Sequence, residues 1–172
     1  LDLIRDVGTL EVLVRHSGQS VDLELVLSLP PGASEVRRVD TTEGDREPMN
    51  VAQGRHDVQV SHVFHMSGEP KTVWLRWNGG LSLAPRTISL SPGQESQGLR
   101  VLDFGASDNG WTVTVEGEAG QRYRMELLGE LVYVDDGPAR VVSDGETEEL
   151  EITFGGESAR STEVIHLRRA AR

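Results

Sequence analysis

The chain has 172 residues, no cysteine, and 28 acidic against 17 basic side chains, for a formal charge of −11. That balance argues against nucleic acid and anionic lipid as partners, because neutralising phosphates requires a basic face and a field of this sign repels them. Without cysteine there is neither a disulfide nor a thiolate metal site, so burial and sheet hydrogen bonding must hold the fold.

No apolar run approaches the roughly 18 residues of a membrane span. Sixteen of the 17 basic residues are arginine and Lys71 is the only lysine, which reads as the coding bias of a GC-rich bacterial source. The length suits one large sandwich or two small modules of roughly 100 residues each.

In chain order, Thr9-Leu10-Glu11-Val12-Leu13-Val14, Val21-Asp22-Leu23-Glu24-Leu25 and Val58-Gln59-Val60-Ser61-His62-Val63 alternate apolar and polar residues. So do Trp111-Thr112-Val113-Thr114-Val115 and Leu150-Glu151-Ile152-Thr153-Phe154. A period of two sends successive side chains to opposite faces of a sheet. Turn clusters such as Pro30-Pro31-Gly32, Asn78-Gly79-Gly80, Ser107-Asp108-Asn109-Gly110 and Asp135-Asp136-Gly137-Pro138 separate the runs. They recur every ~8–12 residues, giving about fourteen strands and no helix. The expected fold is therefore all-β, an antiparallel β-sandwich. The polar stretch 37–56 is expected to be a long surface loop.

Two stretches resemble one another: Gly18-Gln19-Ser20-Val21-Asp22-Leu23-Glu24-Leu25 and Gly120-Gln121-Arg122-Tyr123-Arg124-Met125-Glu126-Leu127. The later strands Val73-Trp74-Leu75-Arg76 and Ile165-His166-Leu167-Arg168 also align loosely. This pairing favours two tandem immunoglobulin-like modules, 1–82 and 83–172, over one larger sandwich. The expected core comprises Val12, Leu23, Leu25, Val60, Leu75, Val113, Val115, Met125, Ile152 and Ile165, with truncation of Leu25 or Val113 to Ala costing about 2–4 kcal/mol.

Catalytic signatures are missing: there is no Gly-x-Ser-x-Gly elbow, no His-Glu-x-x-His and no cysteine nucleophile. Ser107-Asp108-Asn109 copies a β-lactamase tripeptide, but its Ser-x-x-Lys partner is absent, so the stretch reads as a turn. His56 and His62 would share a strand face and His65 would point away, so this spacing supplies at most two of the three or four ligands a zinc site needs. The candidate metal ligands are Asp103, Asp135 and Asp136, with calcium the fitting ion because it takes carboxylate and carbonyl oxygens from separate loops. No other cofactor is expected. Aromatic residues make up 5% of the chain, and Trp111 stands just after a polar turn. Trp111, Asp108 and Asn109 are therefore the candidate ligand-binding residues, for a glycan stacked on the indole.

The run Ala84-Pro85-Arg86-Thr87-Ile88-Ser89-Leu90-Ser91-Pro92-Gly93-Gln94, then Gly110-Trp111-Thr112-Val113 and Gly120-Gln121-Arg122-Tyr123, resembles the fibronectin- or immunoglobulin-like accessory modules of large secreted bacterial glycoside hydrolases and surface proteins. The likeness covers about half the chain, and the stretch 131–167 continues in the same style. It implies a non-catalytic accessory or spacer region of a larger extracellular, carbohydrate-active protein, and it brings no catalytic residues. A neighbouring domain of the parent protein and a polysaccharide are the implied partners, and secretion or the cell surface the implied location. The chain's ends suit a piece cut from a longer protein. A glycan-binding module is the competing expectation.

Overall fold

A computed structural model describes residues 7–39, 49–85, 98–134, 137–143, 145, 147–156 and 159–170. Among them are fourteen strands and no helix, every pairing antiparallel. The chain divides into two compact units, Leu1–Gly80 and Leu81–Arg172.

The first unit contains β1 (Val7–Val14), β2 (Val21–Leu29), β3 (Ala33–Val39), β4 (Asn50–Gln53), β5 (Val58–Met66) and β6 (Lys71–Gly79). They form two three-stranded sheets, ordered β1-β6-β3 and β2-β5-β4. Alternation decides the faces. In β5, Val58, Val60, Phe64 and Met66 are buried while Gln59, Val63 and His65 are exposed. Two apolar clusters result. Phe64 and Met66 pack with Val14, Val73 and Leu75, whereas Val58 and Val60 pack with Leu29 and Ala33. The half-buried Trp77 touches both clusters. Its indole lies over Gly8, where a Cβ would collide with the ring.

The polar stretch 37–56 is not a loop throughout. β3 continues to Val39 against β6, and Asn50–Gln53 pairs with β5. Edge strands are held by backbone hydrogen bonds and need no strong apolar alternation, which is why composition concealed them. Residues 40–48 lie outside the described residues. A bulge between Ser34 and Arg37 interrupts β3, and Glu35 there adopts a left-handed φ of 49°. Its carboxylate accepts hydrogen bonds from Asn78 (2.8 Å) and Arg37 (3.2 Å).

The second unit contains β7 (Leu81–Pro85), β8 (Arg100–Ser107), β9 (Gly110–Glu118), β10 (Arg122–Gly129), β11 (Val132–Val134), β12 (Ala139–Ser143), β13 (Glu148–Thr153) and β14 (Arg160–Arg169). Its sheets are ordered β12-β13-β10-β7 and β11-β14-β9-β8. Between them lies one continuous core that includes Leu81, Trp111, Val113, Val115, Met125, Leu150, Ile152, Phe154, Ile165 and Leu167. Gly117 admits the Phe154 ring, which a Cβ would strike. Tyr123 meets Phe154 edge-on at 5.6 Å between ring centroids, and its hydroxyl accepts the Glu118 N–H at 3.2 Å.

The strand plan recurs. The pairing orders β1-β6-β3 and β2-β5-β4 reappear as β9-β14-β11 and β10-β13-β12, with β8 added beside β9 and β7 beside β10. The resembling sequences fall on matching strands: 18–25 leads into β2 and 120–127 into β10. Likewise, Val73 and Leu75 of β6 and Ile165 and Leu167 of β14 are all core residues.

Candidate functional site

Asp108 and Asn109 form the two-residue turn between β8 and β9, closed by the pairing of Ser107 with Gly110. Gly110 lies so close to β14 that a Cβ would strike the Leu167 carbonyl, and its φ of 150° also favours glycine. This approach draws the turn down beside β14. The result is a shallow groove of about 240 Å³ bordered by Asp108, Asn109, Trp111, Thr112, His166 and Arg168.

The sequence expectations meet this groove unevenly. Trp111 does not stand exposed. It follows the turn, but β9 alternation points it inward, where it is 0% exposed, and the Arg169 guanidinium carbon lies 5.1 Å from the ring centroid. No indole face is left for a pyranose to stack on. Asp103 is in the same hairpin but opposite Thr114, four positions before Ser107, and so lies about 13 Å along the strand from the turn. Asp135 and Asp136 lie outside the described residues. Among the described residues, no three His, Asp or Glu side chains converge as a metal site would require. His62 lies 3.2 Å from Arg38, and His65 2.8 Å from Asp22, on opposite faces of β5.

The most enclosed charge lies elsewhere, on the outward face of β12-β13-β10. The ladder sets Arg140, Glu151 and Arg124 side by side on three adjacent strands. Glu151 is 2% exposed, and both its oxygens are engaged. Oε1 accepts Nε and Nη2 of Arg140 at 2.9 and 2.6 Å, and Oε2 accepts Nε and Nη2 of Arg124 at 3.0 and 2.8 Å. Arg124 Nη1 also donates to Glu149 at 3.2 Å. The Arg140 hydrogen bonds, then those of Arg124, hold the Glu151 carboxyl below the ordinary glutamate range against the opposing effect of desolvation. Reciprocally, the Glu151 hydrogen bond raises Arg124. The covering groups are guanidinium forks rather than apolar protein, so the carboxylate is enclosed and still fully matched in charge.

The opposite sheet also sets a glutamate between two arginines, more loosely. Glu116 of β9 sits 3.1 Å from Arg100 of β8 and 3.1 Å from Arg160 of β14. Sequence reasoning placed Glu151 and Thr153 on one strand face but did not see these ties. The available signal was Arg122 and Arg124 at a spacing of two, and Glu149 and Glu151 at the same spacing, on strands whose other faces are apolar. Comparison of the chain with family models, curated proteins and solved structures found no match.

Proposed function

We propose that this chain is a non-catalytic spacer and support region of a larger extracellular bacterial protein whose carbohydrate chemistry is carried out by a neighbouring domain. The observation that supports this reading best is the use made of Glu151. A general acid or base needs a lone pair or proton presented to substrate and a pKa tuned toward the working pH. Glu151 is shifted the other way, and four hydrogen bonds from two strands fill its oxygens. Its chemistry is that of a clasp across three strands. Glu116 makes a looser tie in the other sheet, where its Oε2 lies near both Arg100 and Arg160. Trp111 supports the same reading, because it is spent on the core.

The reading is tested by incubating the full chain with a panel of neutral and acidic polysaccharides and measuring reducing-end release. No release above a heat-unfolded control is expected. Turnover that disappears on replacing one carboxylate, in a variant that still folds, would overturn it.

A further inference from the structure

Beside the Glu151 clasp lies an open, cleft-like cavity of about 400 Å³, bordered by Arg122, Gly137, Pro138, Ala139, Arg140, Glu151 and Thr153. Its position follows from the ladder. Thr153 stands opposite Arg122, and the Thr153 N–H donates to the Pro138 carbonyl at 2.8 Å, so β13 forms the floor between Arg122 on one side and the 137–140 segment on the other.

The arginines here are not equivalent. Arg124 commits Nε, Nη1 and Nη2 to Glu151 and Glu149. Arg140 commits Nε and Nη2 and keeps Nη1. Arg122 commits nothing closely. Glu151 has no unfilled oxygen to offer it, so its Nη1 rests 3.7 Å from Oε1 with the side chain 60% exposed. Among the described residues Arg122 makes no side-chain hydrogen bond, and its fork is available at the mouth of the cavity.

We infer that this cavity is a binding site for a carboxylate-bearing ligand the size of one sugar acid, gripped by the Arg122 fork and Arg140 Nη1. The charges select the class. Among the described residues Arg122 and Arg140 contribute two positive charges to the cavity and Glu151 one negative, while Arg124, which also pairs with Glu151, is balanced by Glu149. One monoanion restores balance, whereas a dianionic phosphate would leave a negative charge beside Glu151. A planar carboxylate matches a guanidinium fork with two parallel hydrogen bonds. The volume exceeds that of a simple ion and falls within the usual range for small-molecule sites. The Thr153 hydroxyl and the apolar flank of Pro138 and Ala139 border the space left for the ligand's body. On a chain of charge −11, a locally positive cavity is also where an anion is least repelled. The inference does not depend on the spacer reading, since a non-catalytic region can hold a ligand and turnover would not fill this cavity.

The test is a titration of the isotopically labelled full chain with sodium glucuronate, glucose and inorganic phosphate at constant ionic strength, read by amide and arginine side-chain NMR. Glucuronate is expected to give saturable shifts centred on Arg122, Gly137, Ala139 and Thr153, with glucose producing none. Arg122→Gln leaves the four hydrogen bonds to Glu151 in place. It should keep the folded spectrum and weaken glucuronate binding about tenfold or more. Arg76→Gln, in the first unit, should bind like the parent. Three results would overturn the inference: no shifts at these residues, equal binding by Arg122→Gln, or phosphate binding more tightly than glucuronate.

Discussion

Leu25 in β2 and Leu127 in β10 occupy matching places in the two units, yet Leu127 is 7% exposed while Leu25 remains only half-buried. The difference lies in what stands beside each strand. β10 is flanked by β13 and β7, whereas β2 is the outer member of β2-β5-β4 among the described strands. The other sheet shows the same contrast. Val113 and Val115 in β9, between β14 and β8, are 0% exposed, while Leu10 and Val12 in the edge strand β1 are half-buried. One added strand per sheet turns an edge into an interior and merges the apolar residues into a single core, where the first unit has two smaller clusters.

Equal substitutions should therefore have unequal costs. Leu127→Ala is expected to destabilise the second unit by about 2–5 kcal/mol through lost transfer energy and the cavity left behind. Leu25→Ala should cost less, about 1–2 kcal/mol, because part of that side chain already meets water. Hydrogen exchange on the full chain can assign each loss to its own unit, and in the parent it should show slower amides in β9 and β14 than in β1 and β6. Equal losses would mean that the flanking strands do not set the burial.

A smaller difference is expected at the two glycines that receive aromatic rings. A methyl at Gly117 meets Phe154, which is 1% exposed and held against Tyr123, so the ring has nowhere to move. Gly117→Ala should cost about 1–3 kcal/mol by overpacking. A methyl at Gly8 meets Trp77, which is half-buried and can swing toward solvent. Gly8→Ala should cost less, with a red shift in tryptophan emission as the indole moves outward. A larger loss at Gly8, read by urea unfolding, would show that Trp77 pins its two clusters together.

Much of this was legible in the sequence because alternation and turn chemistry are local. Val60, Leu75, Val113, Val115, Met125, Ile152 and Ile165 are buried as their periodicity requires. Val12, Leu23 and Leu25 carry the same pattern and are only half-buried, because pattern assigns a face but not a strand's place in the sheet order. Trp111 is buried rather than exposed for a related reason. Its proximity to the Asp108-Asn109 turn suggested exposure, whereas β9 alternation, also readable, pointed it inward. Arg122, Arg124, Arg140, Glu149 and Glu151 become one cluster only through the β12-β13-β10 register, which joins residues up to 29 positions apart.

That register also supplies the finest contrast between the units. By the alignment of β2 with β10, the counterpart of the Arg124–Glu151 pair is Asp22–His65, with the acid on the other strand, no third strand alongside among the described residues, and both side chains mostly exposed. Such a pair is screened by water and salt, so Asp22→Asn should leave the melting temperature within error at neutral pH. Glu151→Gln should lower it, since a neutral amide cannot match two guanidinium forks at once. The loss should follow pH in one direction. A folded-state pKa below the ordinary range gives stabilisation that is complete above the unfolded value and disappears as pH falls through the folded one. The gap between parent and Glu151→Gln should therefore hold steady from neutrality to about pH 5 and close as the pH falls on through and below the ordinary glutamate range. A gap that stays open to the acid end would assign the loss to the shape of the side chain and remove charge from the account of the clasp.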